Sequence, residues 1–208
     1  MGNSPAVAIA RPRTLRLTAD AIRILALGSV AYVLINGHDG AVILTLLFLA
    51  LLVPRLTRLP ALVDLLLCAA LTWAAWSSVF QWYRVTDWYD TAVHSVTPGT
   101  VAATLHLLLA RWRLLPSPSD RTLRHASVPL ITTALGATVA SLWEMYEWLA
   151  TDVLDAQVRV GYEDTIADMA AGVAGSLAAG LILARRAAHA SPEPSGTDDP
   201  PPAGRPPS

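Results

Sequence analysis

Three short segments of this 208-residue chain set ionisable side chains at spacings that share a helix face. Asp90 and His94 stand four residues apart, Glu144 and Glu147 three, and Asp164 and Asp168 four, so on a helix each pair projects from one side. One imidazole among five carboxylates is an oxygen-rich donor set, suited to Zn, Mn, Fe or Mg rather than to soft metals, and it has donors enough for two ions. The candidate divalent-metal ligands are therefore Asp90, His94, Glu144, Glu147, Asp164 and Asp168. His94 and Glu144 are the candidate catalytic residues, and Asp90 can instead orient His94 from behind as a hydrogen-bond acceptor. Carboxylate-bridged di-metal bundles use Glu-x-x-His pairs, and Glu144-x-x-Glu147 lacks that His.

The elements that position these groups are apolar. Hydrophobic residues make up 53% of the chain and charged ones only 15%, with a mean hydropathy of +0.44; a soluble domain carries about 25% charged residues. A net charge of −1 leaves no basic excess for nucleic acid. Lipid is the solvent this composition fits. A span needs about 20 mostly apolar residues, and six stretches approach that: 20–36, 40–55, 61–80, 90–110, 127–150 and 164–184. The first two are short and are separated by Asn36-Gly37-His38-Asp39-Gly40, a run of turn formers that reads as a tight hairpin. The expected fold is all-α, a polytopic membrane bundle of six transmembrane helices. A basic cytoplasmic arm (1–19) would precede the membrane domain (20–186), and a disordered Pro-rich cytoplasmic tail (187–208) would follow it.

Basic residues flanking spans stay on the cytoplasmic side, and all fifteen here are arginine. With the N-terminus inside, the inner segments hold Arg11, Arg13, Arg16, Arg23, Arg55, Arg58, Arg111, Arg113, Arg121, Arg124, Arg185 and Arg186, and the outer ones only Arg84 and Arg159. This alternation predicts an N-in, C-in, multi-pass membrane protein. Trp76, Trp82, Tyr83, Trp88, Tyr89, Trp143, Tyr146, Trp148 and Tyr162 then gather at the outer interface as an aromatic belt. His94, Glu144, Glu147 and Asp168 fall a turn or two inside that interface, on three different helices. Ionisable groups cost about 2.5–3.5 kcal/mol at a helix centre on insertion scales. They persist where a cation, shared protons or a water-filled cleft compensates them.

The other polar residues invite plainer readings. His38, His106, His125 and His189 are expected to lie in loops, in the tail or near an inner helix end, and Asp64 at a helix N-terminus. Cys68, the lone cysteine, reads as a small buried hydrophobe. Gly172, Ser176 and Gly180 continue the four-residue step of Asp164 and Asp168, with Gly175 beside them, and predict a close helix approach beneath the acids.

The order of three motifs, Asp87-Trp88-Tyr89-Asp90-Thr91-Ala92-Val93-His94, Trp143-Glu144-Met145-Tyr146-Glu147-Trp148 and Gly161-Tyr162-Glu163-Asp164-Thr165-Ile166-Ala167-Asp168, resembles the YjdF-like family of bacterial inner-membrane proteins of unassigned function. The likeness runs over about 125 residues and implies a membrane location and a shared polar core. A looser likeness is to VanZ-like proteins, which show an Asp-x-x-x-His helix, a later Glu helix and an Asp followed by small residues. This chain departs from that pattern at Glu147, where Gln is typical, and at Ala171, where Asn is expected.

Three functions fit these residues. The first is a metal-dependent enzyme acting on an amphiphilic envelope or lipid substrate, with membrane lipids as its other partners. The second is a proton-coupled transporter whose carboxylates titrate during a cycle. The third is a structural or partner-binding membrane protein whose polar cluster locks the last three helices together.

Overall fold

The computed structural model describes residues 12–36, 41–80, 82, 87–120, 126–154 and 161–190. They form six helices: α1 (Pro12–Asn36), α2 (Ala41–Leu56), α3 (Ala61–Phe80), α4 (Asp87–Arg111), α5 (Ser127–Leu154) and α6 (Tyr162–Ala190). Five of them, all but α2, are long and apolar enough to cross a membrane. The six apolar stretches are thus all helical, but α2 has only 16 residues and contains Pro54. At 1.5 Å per residue it reaches about 24 Å, short of the ~30 Å hydrocarbon core.

Helix ends extend past the apolar runs. α1 begins at Pro12, whose fixed φ suits the first helical position, so the last eight residues of the arm are helical. α6 continues to Ala190 and takes in the first residues assigned to the tail. The rest of the arm (1–11) and tail (191–208) lie outside the described residues, as do His38, Tyr83, Arg84, Arg121, Arg124, His125, Asp155 and Arg159.

Large apolar side chains cover the outside of the bundle, and ionisable ones are buried within it beside apolar residues. Ile24, Ile35 and Leu130 are each more than two-thirds exposed, whereas Arg23, Asp64, His94, His106, Glu144 and Asp168 are buried. That inversion of a soluble core is what lipid solvent produces. α1 packs on α2 and α3, α6 packs on both α4 and α5, and α3 against α4 joins the two groups.

Polar ties hold the first group. Arg23 of α1 donates from Nε to the Leu51 carbonyl of α2 at 2.9 Å, from Nη1 to Asp20 at 2.8 Å and from Nη2 to Asp64 of α3. Arg23 was expected among the cytoplasmic flanking charges and Asp64 at an unremarked helix start. Asp64 does lie in the first turn of α3, and there it forms an interhelical ion pair with Arg23 and is fully buried.

In the second group the small residues set the spacing. A Cβ on Gly172 would lie 2.7 Å from Ala140 Cβ, one on Gly180 would lie 2.7 Å from Pro129 Cα, and one on Gly99 would lie 2.7 Å from the Gly175 carbonyl oxygen. The predicted close approach of α6 is therefore present, with α4 and α5 as its partners. Towards the other end of this group His106 is fully buried. Thr132 donates its hydroxyl to the Val128 carbonyl, so His106 Nδ1 must carry the proton it shares with Thr132 Oγ1 at 2.8 Å.

Tyr89 links the two groups. Trp73 Nε1 donates to its hydroxyl oxygen at 2.6 Å. Ser77 Oγ, 2.8 Å away, already donates to the Trp73 carbonyl, so the Tyr89 hydroxyl donates to Ser77. Tyr89 thus faces α3 rather than serving as a belt anchor, while Trp88, Trp148 and Tyr162 are exposed as anchors would be. Tyr89→Phe strands the indole N–H and is expected to lower stability by about 1–3 kcal/mol. Thermal unfolding in detergent followed by circular dichroism checks this, and an unchanged midpoint would show that the network contributes nothing.

Candidate metal centre

The start of α4, the later part of α5 and the start of α6 meet at one end of the bundle. His94 is seven residues into α4 and Asp168 six into α6, while Glu144 is ten residues before the end of α5. At 1.5 Å per residue these are depths of about 9–15 Å from the helix ends. α5 runs opposite to its two neighbours in this count, which is why residues near its C-terminal end meet residues near the other two N-terminal ends.

His94 is the hub. Its side chain is 6% exposed, and carboxylates from all three helices face it. Nε2 lies 3.7 Å from Asp90 Oδ1 and 4.0 Å from Asp168 Oδ2; Nδ1 lies 3.5 Å from Glu144 Oε1. Two sets of ligand-capable atoms result, Asp90–His94–Asp168 and His94–Glu144–Glu147, each with its atoms within 4.8 Å of one another. Asp164, one turn before Asp168, belongs to neither set. Asp90 does not stand behind the ring alone, because it shares the Nε2 side with Asp168.

Neighbouring side chains fix the acids. Trp143 Nε1 donates to Glu147 Oε1 at 2.8 Å, and the Trp143 ring meets the His94 ring edge to face at 5.7 Å. Glu144 Oε1 is buried with no hydrogen-bond partner. Val93, Thr97, Pro98 and Trp143 line a recess beside His94. Pro98 has no N–H to offer the His94 carbonyl four residues earlier. That carbonyl faces α6, 3.4 Å from where a Gly172 Cβ would sit, so the glycine lets α6 reach the turn that carries the histidine.

Trp143 is the contributor that the sequence reading does not pick out. The signal for Trp143 was present, since it stands four residues before Glu147 and so shares its face; the aromatic-belt reading hid it.

The donor atoms could hold a small divalent ion. Bonds of about 2.0–2.2 Å in a tetrahedral shell place neighbouring donors about 3.3–3.6 Å apart. The 3.5–4.0 Å separations around His94 are longer than a charge-assisted hydrogen bond of about 2.7–2.9 Å and need only a small inward movement to match that shell.

No curated protein and no solved structure matches the chain. A family profile does, and it spans residues 18–189 under the description "Predicted membrane protein (DUF2238)". That range takes in nearly all of the six helices and the whole His94 cluster, and the chain therefore belongs to this family of membrane proteins.

Proposed function

We propose that the chain is a six-span, N-in, C-in protein of the bacterial cytoplasmic membrane whose His94 centre binds a divalent cation and acts on an amphiphilic envelope substrate. The observation that carries this reading is the buried imidazole flanked by carboxylates from α4, α5 and α6 at 3.5–4.0 Å. The arginine asymmetry and the resemblance to YjdF-like inner-membrane proteins support the orientation and location. A cation held by His94, Asp90 and Asp168 would supply Lewis acidity towards a phosphoryl or acyl oxygen. Asp90, 22% exposed, marks the side from which a lipid-borne head group would approach, and Glu144 and Glu147 are the carboxylates grouped with His94 in the second set.

Elemental analysis of detergent-purified protein tests the cation. The wild type should retain at least one divalent metal per chain, Asp168→Asn should hold less and His94→Ala none, with chelator lowering the unfolding temperature of the wild type but not that of His94→Ala. Metal-free wild-type protein indifferent to chelator would end the proposal. A proton pathway is the second reading, favoured by the presence of a carboxylate at each ring nitrogen of His94. Its mark would be a pH-dependent flux in proteoliposomes that Glu144→Gln abolishes.

A further inference from the structure

The two nitrogens of His94 face different acids. Nε2 is turned to Asp90 and Asp168, at 3.7 and 4.0 Å, and Nδ1 to Glu144 at 3.5 Å. Their lone pairs diverge in the ring plane, so no single ion can take both. The ligand-capable atoms accordingly fall into two sets that have only the histidine in common.

An independent observation bears on the Nδ1 side. The Glu144 side chain is 8% exposed, and its Oε1 has no hydrogen-bond partner although it lies 3.5 Å from a ring nitrogen. A desolvated carboxylate oxygen left unpaired is costly, and a proton shared with Nδ1 would draw the two atoms to hydrogen-bond distance. The spacing instead matches that on the Nε2 side. Glu147 is meanwhile held through one oxygen by Trp143, which leaves its second oxygen for another partner.

We propose that the centre takes two divalent cations, one on each side of the His94 ring. Asp90, Asp168 and Nε2 hold the first, and Glu144, Glu147 and Nδ1 hold the second. The ring bridges them as imidazolate, its one N–H proton passing to water when the second ion binds. This deepens the cation reading above and rests on it. The geometry gives the two ions different roles. With bonds of about 2.0 Å on either side of the ring, they stand about 6 Å apart, beyond the ~3.5–4 Å at which two metals clamp one reacting group. The ion beside the more exposed Asp90 is the exchangeable one that meets substrate, and the ion beside Glu144 stays in place.

The test counts metal in full-length protein dialysed against Zn²⁺ in detergent. Two ions per chain are expected for the wild type, one for Glu144→Gln and Glu147→Gln, one for Asp168→Asn, and none for His94→Ala. One ion in the wild type, whichever variant loses it, overturns the two-ion centre but leaves the cation reading standing; none in the wild type overturns both. Should the variants fail to fold, Cu²⁺ titration of the wild type decides alone. Imidazolate-bridged Cu²⁺ pairs couple magnetically, so the paramagnetic resonance signal should grow through the first equivalent and fall through the second. A signal that doubles, or that stops at one equivalent, refutes the bridge.

Discussion

Gly175→Ala is expected to force α4 and α6 apart and to cost about 3 kcal/mol, the upper part of the range for overpacking a filled interior. The added Cβ would fall on the Ser95 carbonyl oxygen, and backbone cannot rotate out of the way as a side-chain tip can. On the opposing surface Gly99 is pressed against the Gly175 carbonyl, so neither helix has slack to give. Ser95 is the residue after His94, and Asp168 lies on α6 two turns before Gly175. The displacement should therefore also loosen the Nε2 side of the His94 cluster. Gly28→Ala is the matched control: nothing lies within 4 Å of its added Cβ, and removing a mid-helix glycine should stabilise by about 0.5–1 kcal/mol. Thermal unfolding of both variants in one detergent decides. If Gly175→Ala unfolds no earlier than Gly28→Ala, the close approach of α4 and α6 is wrong.

Arg23→Met should be comparably damaging for an electrostatic reason. The guanidinium ties α1 to the α2 backbone and to Asp64 of α3, and Asp64 has no exposure to water. Removing one partner of a buried pair leaves an uncompensated charge and costs about 3–5 kcal/mol. Asp64→Leu in the Arg23→Met background should recover most of that loss, because an apolar pair carries no such penalty. Denaturant unfolding of the two single variants and the double variant measures the coupling; additive losses would show that Arg23 and Asp64 do not depend on each other.

Much of the architecture is legible from apolar runs, because the lipid-facing surface of each helix must be apolar whatever its partners are. Where the helices end is not. α4 starts at Asp87 and α6 at Tyr162, within polar segments whose acids suit a helix N-terminus but lower any hydropathy average. The pairing of Asp90 with His94 and of Glu144 with Glu147 on shared faces is likewise readable from spacing. Spacing fixes which residues share a face, yet it says nothing about how one helix is rotated against the next. That is why the pairing of Arg23 with Asp64 is not legible in the sequence, and neither is the division of the acids between the two ring nitrogens of His94. The row Gly172, Ser176 and Gly180 gave the one sequence clue to rotation. It marked the side of α6 that another helix could touch, and Asp168 lies on the same side.

The shortness of α2 bears on the surrounding lipid. If this helix crosses, the hydrocarbon beside it must dip by several ångströms, since acyl chains cannot be left facing uncovered backbone ends at Ala41 and Leu56. Head groups would be drawn down along one flank of the molecule, to the side where Arg55 reaches Asp20. Membranes with shorter acyl chains would accommodate that pinch with less deformation.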